Sequence, residues 1–242
     1  MSDDHNLPDK KAERAGVDTF LRQVARTPVA SAAGRGARGR LLFAMDATAS
    51  RQPSWDRAAR IQGEMFAATA AHGGLDVQLA FYRGFGEFKV SKWTDNADDL
   101  LRLMTSVTCR AGETQVVKVL QHARNETKAG RIGALVFVGD CFEEDVDAAG
   151  KVAGEMGLLG LPAFMFHEGD DPLAAFAFQQ IAQLSGGAYC SFDAASAEVL
   201  MELLRAVAVY AAGGRPALEN LAKSGGRDVR MLTDQMTRNR GR

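Results

Sequence analysis

Residues 40–50 read RLLFAMDATAS: an unbroken apolar run at 41–45, then Asp46, and after it Thr48 and Ser50 at every second position. An uninterrupted apolar run of this length suits a strand buried on both faces, as in parallel sheets covered by helices on either side. Just beyond it, an extended or turning backbone sends positions i, i+2 and i+4 to one side, so a carboxylate and two hydroxyls can converge. Open α/β sheets bind ligands at the carboxyl ends of their strands, chiefly where the strand order reverses, and the first strand is the usual reversal point.

Outward from this stretch, further strand candidates stand at 77–82, 85–93, 134–138, 162–166 and 188–192. Between them lie helical periodicities, such as Val116, Val119, Leu120 and Ala123, or Val199, Leu200, Leu203, Leu204 and Val207. The pattern predicts an α/β fold, with a doubly wound, mostly parallel sheet of about six strands and helices on both faces. Little more than Arg83 and Gly84 separates the second strand from the third, too few residues for a crossover. These two therefore form a hairpin, and the third is an antiparallel edge strand whose Glu87, Lys89 and Ser91 discourage further pairing.

The chain divides into residues 1–39, an N-terminal helix (9–25) and a Gly/Arg-rich linker; 40–212, the domain; and 213–242, a basic C-terminal tail after Gly213 and Gly214. With 46% hydrophobic residues, the composition supports a folded core. Charge is uneven: 8 basic against 5 acidic residues in 1–40, 14 against 22 in 41–212, and 7 against 3 in 213–242. The acidic block suits a cation site and argues against a nucleic-acid surface on the domain. No apolar stretch approaches the length of a membrane span, and MSDDHNLPDKKAER has no apolar segment of an export signal, so the expected setting is the cytoplasm. Cys109, Cys141 and Cys190 are odd in number and widely spaced, which speaks against a disulfide framework or a zinc site. GRGARGR lacks the Lys-Ser/Thr ending of a phosphate loop and precedes a strand, which removes a nucleotide-binding reading.

Two more oxygen side chains complete the pattern. Thr114 lies in AGETQVVKVL, a Gly-containing loop opening a helix, and Asp140 ends the fourth strand, ALVFVGD. Taken singly, Thr48, Ser50, Thr114 and Asp140 each read equally as a helix cap. Together, in this order and at these strand and loop positions, Asp46, Thr48, Ser50, Thr114 and Asp140 resemble the metal-ion-dependent adhesion site of the von Willebrand factor type A and integrin inserted domains. The resemblance covers about residues 40–212, with Thr48 standing where Ser is more usual. It implies a divalent cation held by these five residues and an Asp or Glu of a partner protein completing the coordination. Carboxylates and hydroxyls are hard donors, which suits Mg²⁺, with Mn²⁺ or Ca²⁺ as alternatives.

The same edge is expected to carry a contact rim: Arg51, Gln52, Trp55, Arg83, Phe85, Glu113, Cys141–Glu143, His167, Glu168, Asp170 and Asp171. Trp55 reads either as an interface anchor or as a core residue under the first helix. Cys141 is expected to be buried and unreactive. The expectation is a divalent-metal-dependent protein-binding module in a cytoplasmic assembly, without catalysis. The alternative is a metal-dependent hydrolase of phosphate esters with His167 or Glu113 as base.

Overall fold

The computed structural model describes Thr19, Gln23 and residues 38–192 and 197–224. Thr19 and Gln23 are helical; the rest of the predicted 9–25 helix, the linker up to residue 37 and the chain past 224 lie outside the described residues.

Six strands form one sheet: β1 (Gly39–Asp46), β2 (Leu75–Arg83), β3 (Glu87–Val90), β4 (Ala134–Gly139), β5 (Ala163–Glu168) and β6 (Ala188–Phe192). Their order is β3-β2-β1-β4-β5-β6, with all pairs parallel except β2 and β3. The period-2 alternation of each central strand feeds two separate cores. Leu41, Phe43, Met45, Val136, Val138, Phe164 and Phe166 face one way. Leu42, Ala44, Leu135, Phe137 and Met165 face the other.

Helices α1 (Gln52–Ile61), α2 (Gly63–Thr69), α3 (Ala97–Thr105) and α7 (Ala197–Ser224) cover the first face. Helices α4 (Val116–Ala129), α5 (Val146–Leu158) and α6 (Pro172–Ser185) cover the second. Both cores are closed, as the unbroken apolar strands require.

Two details depart from the sequence reading. The predicted strand 85–93 is paired only over Glu87–Val90. At Ser91 the ladder is interrupted, because the Ser91 hydroxyl accepts the Leu79 N–H at 3.0 Å and itself donates to the Lys92 carbonyl at 2.7 Å. A single antiparallel bridge, Val77 to Thr94, resumes the pairing. At the other end, Gly214 leaves helical geometry (φ 65°, ψ −164°). The chain then continues helical to Ser224, with Ala217 and Leu218 buried, so residues past 212 contribute to the apolar interior.

Because β1 lies between β2 and β4, the strand order reverses at β1. The crevice produced by that reversal opens at the carboxyl ends of β1 and β4, which are Asp46 and the residues just after Gly139.

Candidate metal centre

Asp46 ends β1 and is fully buried. Its Oδ1 accepts the Thr48 backbone N–H at 2.7 Å, a local turn that brings the next residues round beneath the carboxylate. The Thr48 and Ser50 hydroxyls lie 3.5 Å apart, and Ser50 Oγ donates to Asp140 Oδ2 at 2.8 Å. Four of the five candidate residues thus form one continuous polar chain from β1 to the end of β4.

Thr114 joins at one remove. Its Oγ1 accepts the Glu143 N–H at 3.0 Å, and its own N–H donates to Glu143 Oε2 at 3.3 Å, so it is bonded to the loop that follows Asp140. The loop carrying Thr114 is pinned on its other side. Arg110 N donates to Ala47 O at 3.0 Å and Glu113 N to Gly84 O at 3.3 Å. Gly112 lies so close to Gly84 that a Cβ there would run into the Gly84 carbonyl. Only glycine permits that approach of loop to hairpin.

The capping alternative does not describe these residues. Thr48 and Arg51 precede their helices without a side-chain capping bond, as does Gln115 at α4. Asp145, not Asp140, caps α5. The start of α4 is satisfied from across the crevice by Glu144, which accepts from Val116 N and, at 3.1 Å, from Val117 N.

Asp46 Oδ2 and Asp140 Oδ1 are buried oxygens with no hydrogen-bond partner. Burial pushes the Asp46 carboxyl up to about 6; the Thr48 bonds oppose the rise, the nearby Asp140 charge adds to it, and Arg51 lowers it. Two bare, hard oxygens on a polar chain with the Thr48 and Ser50 hydroxyls, and the Thr114 hydroxyl one contact further off, suit a divalent cation of the magnesium or calcium kind, so the donor set fits. Among the described residues no group of three or more His, Cys, Asp and Glu side chains is arranged to hold a metal, so any cation here depends on the mixed carboxylate and hydroxyl set.

Several neighbours escaped the sequence reading. Tyr82 stands opposite Asp46 in the β1–β2 register, and its hydroxyl is buried without a completed hydrogen bond. Burial, then the charges of Asp46 and Glu144, hold its phenol well above the usual range. Arg51, expected on the rim, is buried and pairs with Glu168 Oε2 at 2.5 Å, while Ser54 Oγ donates to Glu168 Oε1 at 2.5 Å. An arginine next to a turn gives no hint in sequence that it points into the protein; the partner 117 residues away supplies the reason.

The rest of the predicted rim separates cleanly. Trp55 is core: it is 1% exposed, its Nε1 donates to Met104 O at 2.7 Å, and its ring meets Phe81 edge-on. His167 and Glu168 are also buried, since β5 runs on through both. His167 is committed on both ring nitrogens, to Tyr189 Oη at 3.0 Å and the Asp140 carbonyl at 3.2 Å, and burial lowers its pKa. Phe85, Glu113, Glu143, Asp170 and Asp171 are exposed. Cys141 is exposed instead of buried, yet residual burial and the charges of Asp140, Asp171 and Asp46 push its thiol up to about 11.

No protein-family model matches the sequence, and no curated protein does. Solved structures do match. The VWA domain of SpRpn10 is 15% identical, with a TM-score of 0.54 over 69% of this chain and 94% of that one. The PilB minor pilin from Streptococcus sanguinis is 11% identical, with a TM-score of 0.53 over 78% of this chain and 64% of its own. Proximal thread matrix protein 1 from the mussel byssus, with a zinc-occupied MIDAS motif, is 12% identical, with a TM-score of 0.53 over 71% of this chain and 48% of its own. The chain therefore spans nearly all of the first, but under two thirds of the pilin and about half of the byssus protein.

Proposed function

We propose, from the von Willebrand factor type A-like fold that these matches establish, that this protein is a divalent-cation-dependent binding module. It captures an Asp or Glu of a protein partner and works within a cytoplasmic assembly. The observation that carries the reading is the pair of buried, unpartnered oxygens, Asp46 Oδ2 and Asp140 Oδ1, at the strand-order reversal.

Asp46 and Asp140 would hold the ion with Thr48, Ser50 and Thr114, and Mg²⁺ is the preferred candidate over Mn²⁺ or Ca²⁺. When bound, the cation supplies an electrophilic vertex for a partner carboxylate. The protein's own residues do the rest. The Thr48 N–H fixes the Asp46 rotamer, Ser50 orients Asp140, and Glu143 anchors the Thr114 hydroxyl. Tyr82 and His167 exclude water from beneath the site.

A hydrolytic role finds little support. Of its two candidate bases, His167 has both nitrogens engaged, and Glu113 is an exposed carboxylate on the rim with no activating side-chain partner among the described residues. Nucleophilic or general-base chemistry requires a group within reach of substrate.

The test is thermal unfolding of the chelator-treated full chain with Mg²⁺, Mn²⁺ or Ca²⁺ added, in wild type and Asp46→Ala. A ligand that binds only the native state raises stability, so a shift in wild type alone is expected. If none of the three cations changes the melting temperature, the reading fails. A pull-down from native extract in Mg²⁺ against chelator then identifies the partner.

A further inference from the structure

We infer that the partner's metal-seeking acidic residue lies in a basic surround, a conclusion that rests on the metal-dependent reading above. The crevice is ringed by exposed carboxylates from three loops: Glu113 before Thr114, Glu143 and Asp145 after β4, and Asp170 and Asp171 after β5. Contacts tie the loops after β4 and β5 to the centre. Glu143 is bonded to Thr114 through both its backbone and its side chain. The loop carrying Asp170 and Asp171 follows β5, which pairs in parallel with β4, and His167 near its start meets the Asp140 carbonyl at 3.2 Å. None of the five forms an ion pair among the described residues.

The cations at this end do not balance them. Arg51 is buried against Glu168, and Arg83 is paired with Glu87 at 3.0 Å on the hairpin side. Arg110 and Lys118 are exposed, and Lys118 is turned to Gln115 Oε1 at 2.8 Å. Among the described residues, five carboxylates thus stand against two cations without an ion pair.

Within this ring, the bare Asp46 Oδ2 and Asp140 Oδ1 are the independent sign of a cation. A divalent ion would balance those two and leave the outer ring in excess. Charges act over about a Debye length, about 8–10 Å at ordinary salt, so carboxylates on the loops that border the centre bear on what binds there. An acidic residue flanked by further acids is repelled as it arrives, whereas one flanked by Lys or Arg is steered in and held. The centre selects for a carboxylate, and its surround selects for the charge on either side of it.

Short peptides carrying a neutral dye test this by fluorescence anisotropy with the full chain in Mg²⁺. Each has a central Asp flanked by lysine, glycine or glutamate, and a lysine-flanked peptide with central Asn is the control. The lysine-flanked Asp peptide is expected to bind about tenfold more tightly than the glycine-flanked one, with the glutamate-flanked peptide weakest and the spread closing as salt rises. The double variant Glu113→Lys/Asp170→Lys replaces two carboxylates whose side chains make no hydrogen bond, and it is expected to compress or reverse that order. Mg²⁺-dependent capture with equal affinity for all three flanks, or an order unmoved in the variant, overturns the inference and leaves the metal-dependent reading standing. Equal binding of the Asp and Asn peptides, or binding indifferent to chelator, overturns that reading and this inference with it.

Discussion

Replacing Asp46 by Asn should stabilise the metal-free protein while abolishing its response to metal. Asp46 is buried with one oxygen unpartnered, and its carboxyl is pushed from 3.8 up to about 6. Since the folded-state value is the higher one, folding takes up a proton between about pH 4 and pH 6. The contribution of Asp46 to stability therefore falls as pH rises through that window, and its full penalty is present above about pH 6. A shift of roughly two pH units, at about 1.4 kcal/mol each, sets an upper bound near 3 kcal/mol. Asn cannot ionise, and its Oδ1 can still accept the Thr48 N–H, so the local turn survives. In chelator at about pH 7.5, Asp46→Asn is expected to be more stable than wild type by about 1–3 kcal/mol, or roughly 2–10 °C in melting temperature. The two proteins should converge near pH 4. With Mg²⁺ at about a hundredfold its Kd, wild type should gain about 2.7 kcal/mol and the variant essentially nothing. Urea unfolding followed by circular dichroism across this pH range, with chelator and with Mg²⁺, measures each quantity. A variant less stable than wild type in chelator at every pH, or a stability difference between the two that stays level or shrinks between pH 4 and 7, would refute the reasoning.

Other consequences follow from the same geometry. Gly112→Ala must push the loop off the Gly84 carbonyl, so Mg²⁺ affinity measured by calorimetry should drop about tenfold or more; an unchanged affinity would show that the loop position does not matter. Arg51→Met leaves Glu168 buried without its partner and should cost about 3–5 kcal/mol in urea unfolding, whereas Arg51→Met/Glu168→Gln should recover most of it; equal losses in the two would contradict the ion-pair account. Cys141, although exposed, should alkylate slowly with iodoacetamide near pH 7.5, with a rate that climbs towards pH 11; rapid labelling at neutral pH would contradict the raised thiol.

Legibility in the sequence tracked the range of the interactions. The strands were readable because Leu41 to Met45 or Ala134 to Val138 carry an apolar pattern that needs no knowledge of neighbours. The hairpin was readable because so short a link admits no crossover. The end of β3 was not, since it depends on a hydroxyl at Ser91 capturing an N–H from another strand. Trp55 stayed ambiguous for the same reason, because its hydrogen-bond acceptor, Met104, lies 49 residues away. His167 looked available as a base until Tyr189 and the Asp140 carbonyl proved to hold it.

By itself, the sequence determined the layered α/β architecture, the antiparallel edge and the candidate set of Asp46, Thr48, Ser50, Thr114 and Asp140. The architecture and the edge follow from local periodicity, which is written in neighbouring residues, whereas the candidate set follows from the resemblance of three separate segments to a known site. Only the tertiary structure decided that Asp46 and Asp140 each keep a buried oxygen unpartnered, that Thr114 is bonded to Glu143, and that Arg51, Trp55 and His167 turn inward. Those outcomes depend on strand order and register, which bring residues dozens of positions apart within hydrogen-bonding distance, and a one-residue shift in register would turn strand side chains such as Asp46 and His167 to the opposite face.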